Sequence, residues 1–189
     1  MNQTATQVTA GFLRLAEEGL ANAARSLEIL LSHRLQMDVL WVGSVPTARL
    51  SELSGNPEDL VVGAYVHVNG DLPGHALLLF PLANALKLAD LALGQPVGTS
   101  CELGQMEESV VQEVANILTS SYITALADHH GIALLPDPPL TAVDMAAAMV
   151  DNVLLNSGQF EPETLGIVTR FRSASEVVDG FFLYVPESY

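Results

Sequence analysis

The chain has 189 residues, a formal net charge of −15, seven basic residues and one cysteine. So acidic a surface repels nucleic-acid backbones and anionic membranes, and the lone Cys101 cannot close an internal disulfide. Hydrophobic residues make up 49% and charged ones 15%, which is the balance of a globular chain with a sizeable core and excludes a disordered one. No apolar run reaches the roughly 18 residues of a membrane-spanning helix. The start, MNQTATQVTAGF, lacks the basic region of a signal peptide, so a cytoplasmic location is expected.

In chain order, residues 8–34 place Phe12, Leu15, Leu20, Ala23, Leu27, Leu30 and Leu31 at helical spacing and predict a long amphipathic helix. Residues 36–44 alternate as a strand does. Pro46 and TARLSEL suggest a short helical turn, and Gly55-Asn56-Pro57 breaks the chain. Strands at 59–69 and 73–81 flank Asn69-Gly70-Asp71-Leu72-Pro73, which has hairpin turn chemistry. ANALKLADLALG predicts a helix stopped by Gly94, and residues 95–105, without periodicity, read as a linker. The second half repeats the order: a long helix 106–130, a short strand 132–135, a helix 140–157, and strands 163–173 and 179–186. GFFLYVP from Gly180 mirrors GHALLLF from Gly74. The expected fold is therefore α+β, a single domain over 1–189. Its halves, 8–94 and 106–187, are related by a pseudo-two-fold, with about six largely antiparallel strands under two long helices.

The second long helix carries the chemistry. At about 100° per residue, Ser109, Glu113, Asn116 and Ser120 share one stripe, while Val111, Val114, Leu118, Tyr122 and Ala125 lie opposite. Glu107 and Glu108 suit the positive end of the helix. A carboxylate and a carboxamide at i, i+3 can enter one partner site together. The amide both donates and accepts, so it can orient a water, and the carboxylate can pair with a cation. Most such pairs on the wet face of a helix are merely solvated. The neighbours His129 and His130 point to different faces and have no Cys or His partner at ligand spacing, so they read as ordinary C-terminal helix residues. Asp144 and Asp151 read as solvated acids, and Met145 and Met149 as packing residues. There is no phosphate-binding loop or nucleophile elbow, and no metal or cofactor site of the chain's own is expected.

Ser109-x3-Glu113-x2-Asn116, followed after a further x21 by Pro138, resembles the signature of the CheC / CheX / FliY family, phosphatases of the phosphorylated chemotaxis regulator CheY. The stretches ESVVQEVANILTSSYITALADHHGI, PDPP, VDMAAAMVDNVL and GHALLLFPLANALKLADLALG resemble it too. The resemblance implies hydrolysis of the aspartyl-phosphate of a CheY-type receiver domain in two-component signalling, with no covalent intermediate. It implies that the phosphoryl group and its Mg²⁺ belong to the receiver, that Asn116 holds the attacking water, and that Glu113 pairs with the receiver's lysine. Ser109 and Pro138 would shape and support the site. Superposing Asn116 on Glu17 puts Glu113 on Arg14, Ser109 on Ala10 and Pro138 on Val39, so the resemblance implies one intact site and one degenerate one. Some family members bind the receptor deamidase CheD. A non-catalytic module for a response regulator or CheD is thus the alternative reading. A flagellar-switch subunit of the FliY kind fits less well, since no extra C-terminal domain is expected.

Overall fold

The computed structural model describes residues 18–29, 36–158, 163–172 and 175–187. At its centre strands β3 (Gly74–Pro81) and β7 (Val177–Pro186) pair antiparallel, with Gly74 opposite Pro186 and Leu79 opposite Phe181. Strands covered on both faces lose polar alternation and read as continuous apolar runs, as GHALLLF and GFFLYV do. The two glycines make room for aromatics across the pair. A Cβ on Gly74 would lie 2.6 Å from the Tyr184 hydroxyl, and one on Gly180 would lie 2.3 Å from the Phe80 ring.

The other strands are added symmetrically. Beyond β7 lie β6 (Glu163–Arg172) and then β1 (Gln36–Pro46). Beyond β3 lies β2 (Leu60–Gly70), and its outer edge takes both β4 (Leu134–Pro136) and β5 (Leu140–Met145). The order β1-β6-β7-β3-β2-β4, with β5 beside β4 on β2, reads the same from either end: β1 answers β4 and β5, β6 answers β2, and β7 answers β3. The pseudo-two-fold α+β architecture is therefore present in the sheet. Both edges even bulge at the equivalent place. Met37 faces Phe171 and Trp41 faces Val168, so residues 38–40 oppose 169–170. Pro136 faces Val68 and Leu140 faces Tyr65, so residues 137–139 oppose 66–67. Each edge has one residue too many for its partner.

Helices cover both faces. On one face α1 (18–29), α2 (Leu82–Leu93) and α3 (Gln105–His130) bury Leu27, Leu88, Val114 and Leu118 against Val62, Phe80 and Phe182. On the other, α4 (Ala146–Ser157) and a 3₁₀ segment (Thr47–Ser54) bury Val150, Val153 and Leu50 against Val61, Leu79 and Phe181. The two long helices lie side by side. A Cβ on Gly19 would come 2.9 Å from the Tyr122 backbone, so glycine is what lets α1 approach α3. The remainder of the helix expected over 8–34, with Phe12, Leu15, Leu30 and Leu31, lies outside the described residues.

One element differs from expectation. Residues 140–145, read as the start of a helix over 140–157, form β5, which makes seven strands among the described residues. The reason is tertiary. Leu140–Met145 pairs with Met145 opposite Leu60 and Leu140 opposite Tyr65, satisfying the second row of backbone groups on β2. The helix starts only at Ala146, where the N–H groups of Ala146 and Ala147 donate to the carbonyls of Asp59 and Pro57. Among the described residues no helix is long and apolar enough to cross a membrane.

Candidate functional site

The site begins with α3. Its buried stripe, Val111, Val114, Leu118, Tyr122 and Leu126, fixes the helix on the sheet. That orientation leaves Glu113 and Ser109 exposed and Asn116 half-buried on the opposite face. Glu107 and Glu108 sit in the first turn, His129 and His130 in the last, each complementing the helix dipole. Gly131, in the left-handed region at φ 64°, ends the helix with its N–H bonded to the Ala127 carbonyl. Ser109 Oγ donates to the Gln105 carbonyl at 2.8 Å, which occupies its hydroxyl within the helix. Ser120 Oγ lies 3.5 Å from Asn116 Oδ1, a weak contact. Among the described residues Glu113 makes no hydrogen bond or ion pair, and the Asn116 NH₂ has no acceptor. Both groups are free to bond outward.

The facing wall is the bulge between β4 and β5. Pro136, Pro138 and Pro139 cannot donate to a strand ladder, so this sequence is tolerated only at a sheet edge or a bulge, and here it occupies both. The bulge is pinned by Asp137, whose N–H donates to the His67 carbonyl at 2.8 Å. An open groove of about 490 Å³ runs between helix and bulge. Ser109, Glu113, Asn116 and Pro138 all line it, with Gln112 and Asp137 between them. The four signature residues, spread over 30 positions of sequence from Ser109 to Pro138, thus meet around one concavity. On the other side of the Ser109–Glu113 ridge a second hollow, about 560 Å³, is lined by Ala92, Leu93, Met106 and Val110. Met106 is 60% exposed there. Arg14 and Glu17, the positions of the degenerate counterpart, lie outside the described residues.

Two features had no periodic signal. Gln112 sits about 100° around α3 from Glu113, off the stripe. Its Nε2 donates to Thr141 Oγ1 at 3.2 Å and lies 3.4 Å from Glu108 Oε1, and Thr141 bonds Glu108 in turn. This triangle ties α3 to β5 and sets the width of the groove. The second is Asp90, which is 1% exposed at the end of α2. Its carboxylate accepts the N–H groups of Gly98 at 2.7 Å, Ser100 at 3.0 Å and Thr99 at 3.1 Å. Burial alone would raise its pKa, but Ser100 and the Gly98 and Thr99 amides outweigh it and hold the carboxyl below the usual range. Ser100 Oγ also donates to Glu107 at 2.8 Å, and that bond holds the Glu107 carboxyl low as well. The aperiodic linker is thus an ordered strap from α2 to the start of α3. Away from the groove, His67, His75 and Glu187 gather on the other face of the sheet, the one group of three potential metal ligands among the described residues.

A model of the CheC-like family matches residues 106–140, which contain the whole signature from Ser109 to Pro138. CheY-P phosphatase CheC of Bacillus subtilis is 28% identical over 143 residues, which cover 75% of this chain and 68% of that protein. The chain is similar to the CheC, CheX and FliY proteins. The fold agrees with that similarity. The crystal structure of Thermotoga maritima FliY superposes with a TM-score of 0.70 at 17% identity, over 94% of this chain and 89% of FliY. CheX in the Borrelia burgdorferi CheX–CheY–BeF₃–Mg²⁺ complex superposes with a TM-score of 0.54 at 15% identity, over 90% and 97% of the two chains. The CheC-like match falls on the half whose helix and edge bulge build the groove.

Proposed function

We propose that this protein is a chemotaxis phosphatase that hydrolyses the aspartyl-phosphate of a CheY-like receiver domain, with the groove beside α3 as its working surface. The observation that carries this reading is the convergence of Ser109, Glu113, Asn116 and Pro138 on one open groove, with Glu113 and the Asn116 NH₂ group lacking partners among the described residues. The Bacillus relative is named a CheY-P phosphatase, and the CheX neighbour was solved with CheY, BeF₃ and Mg²⁺.

In this reading the receiver supplies the phosphoryl group and the Mg²⁺ that screens its charge. Asn116 enters beside the phosphorus and holds one water by its amide, in line with the aspartyl oxygen. The water's oxygen bonds to phosphorus, the bond to the aspartyl oxygen breaks, and the products are a free carboxylate and inorganic phosphate. Positioning and charge complementarity are all the helix contributes. Glu113, exposed and one turn before Asn116, pairs with the receiver's lysine and fixes the docking angle. Ser109, its hydroxyl already bonded to the helix, leaves a small surface for close approach, and Pro138 stiffens the facing wall. The net charge of −15 speeds encounter with a basic spot on the receiver. The first half, with Arg14 and Glu17 in place of the pair, supplies no second catalytic site.

The test is release of phosphate from phosphorylated receivers by the wild type and by Asn116→Ala. The wild type should accelerate hydrolysis, and the variant should lose about 10²-fold or more of that acceleration, the usual cost of one preorganised hydrogen-bonding group. Binding to the phosphorylated receiver should change far less. If saturated Asn116→Ala turns over at the wild-type rate, Asn116 does not hold the attacking water; if the wild type binds without hydrolysis, the protein is a binding module for a regulator or CheD.

A further inference from the structure

The β2–β3 hairpin sets His67 directly opposite His75, so both imidazoles rise from the same face of the sheet. Their ring centroids are 5.2 Å apart. β3 in turn sets His75 opposite Val185, and two residues later Glu187 follows the end of β7. Its N–H donates to the Pro73 carbonyl at 3.0 Å, which turns the segment back over the hairpin. Glu187 Oε1 lies 3.1 Å from His67 Nε2 and 3.3 Å from His75 Nε2. The three donor atoms all lie within 4.8 Å of one another.

The outer nitrogens are occupied as well. His67 Nδ1 lies 3.2 Å from the Asp137 carboxylate, and His75 Nδ1 lies 2.7 Å from the Tyr65 hydroxyl oxygen. With an Nδ1–H donating outward on each ring, both Nε2 atoms are left as acceptors, within 4.8 Å of each other and of the Glu187 carboxylate. This is the outer-shell arrangement that orients imidazole ligands on a metal. His75 is 4% exposed, and its Nε2 is buried without a hydrogen bond of proper geometry. A buried imidazole nitrogen left in that condition is costly unless something else occupies it. Donors around a tetrahedral ion with bonds of about 2.0–2.1 Å stand roughly 3.3–3.4 Å apart. The 3.1 and 3.3 Å separations to Glu187 lie close to that value.

We propose that His67 Nε2, His75 Nε2 and the Glu187 carboxylate bind a divalent transition-metal cation of the zinc class. Two imidazoles and one carboxylate select such an ion over Mg²⁺ or Ca²⁺, which prefer all-oxygen shells. The bound ion ties the segment after β7 to the β2–β3 hairpin. Through the His67 Nδ1–Asp137 contact it also braces the bulge that carries Pro138. The site lies on the opposite face of the sheet from α3, and its existence does not depend on the proposed phosphatase activity.

The experiment uses the full, untagged chain, stripped with a chelator and titrated with Zn²⁺ by calorimetry. Bound metal is counted by elemental analysis, and Co²⁺ serves as a visible-absorption probe of geometry. The variants are His67→Gln and Glu187→Gln, which alter partly exposed side chains, and His129→Ala/His130→Ala as a control for the exposed pair ending α3. The expected result is one zinc per chain in the wild type and the control. Affinity should fall by at least about 100-fold in both ligand variants, with their circular dichroism unchanged, and Asp137→Asn should lose about tenfold or more. The absence of stoichiometric zinc, zinc binding unchanged in His67→Gln and Glu187→Gln, or zinc lost from the control instead would each overturn the site.

Discussion

Asp137 is tied to His67 twice: its backbone N–H donates to the His67 carbonyl at 2.8 Å, and its carboxylate lies 3.2 Å from His67 Nδ1. The residue before Pro138 is therefore held by β2 from both sides of the peptide. In Asp137→Ala the backbone bond remains and the side-chain anchor goes. Stability should change by less than about 1 kcal/mol, since the lost contact is partly exposed. The dephosphorylation rate should fall by about tenfold because the groove wall loses its fixed position. Steady-state kinetics beside urea denaturation checks this, and an unchanged rate would show that the wall does not depend on Asp137.

Glu113 has no partner within the chain among the described residues, so its charge is available to a partner. Glu113→Ala should raise the receiver concentration needed for half-maximal rate and also lower that rate, because an ion pair at an interface contributes to both docking and alignment. Added salt should weaken the wild type more than the variant. Measuring KM at roughly 0.05 and 0.5 M salt separates the two, and equal salt sensitivity would remove Glu113 from the contact.

The Asp90 carboxyl is held low in the folded state, and the sign of its contribution follows. The stabilisation is fully present above the unfolded value near pH 4 and is lost as pH falls through the lower folded value. At neutral pH Asp90→Asn should be less stable by about 2 kcal/mol, because an amide faces three backbone donors with a weaker acceptor. The gap to the wild type should close in acid. Urea midpoints measured from about pH 3 to 7 check it, and a gap independent of pH would show that the charge is not the cause.

Tyr122 is fully buried, with its ring 5.0 Å from Tyr184 and 6.0 Å from Phe182. Its hydroxyl has no hydrogen-bond partner among the described residues, and burial drives its pKa up. Tyr122→Phe keeps the ring contacts and removes an unsatisfied polar group. The midpoint of unfolding should rise, by about 1 kcal/mol in stability. A loss of stability would mean that the hydroxyl is bonded in solution.

Much of this was legible in the sequence because it is written in local period. The central strands declare themselves as unbroken apolar runs, and the α3 face as a stripe of Ser109, Glu113 and Asn116 opposite Val111, Val114 and Leu118. LTAVDM was not legible. It runs without a break into the small residues Ala146–Ala148 that begin the helix, and only the free edge of β2 makes it a strand. Gln112 and Asp90 act through partners far away in sequence or in a loop, so no spacing marks them. His67 and His75 had a signal, since the hairpin around Asn69-Gly70-Asp71 places them opposite one another. Glu187 is brought to them only by the pairing of β3 with β7.

The bulge beside the groove has a consequence for how anything can bind there. Pro136, Pro138 and Pro139 have no N–H, and the N–H of Asp137 is spent inward on His67. Over these four positions the sheet edge offers no outward donor at all. An incoming extended segment would find nothing to zip onto, so this rim resists both strand-swapped aggregation and recognition by β-augmentation. A partner must read the surface through side chains, and a substitution that restores an N–H at Pro138 would open the rim to sticky edge pairing as well as altering the groove.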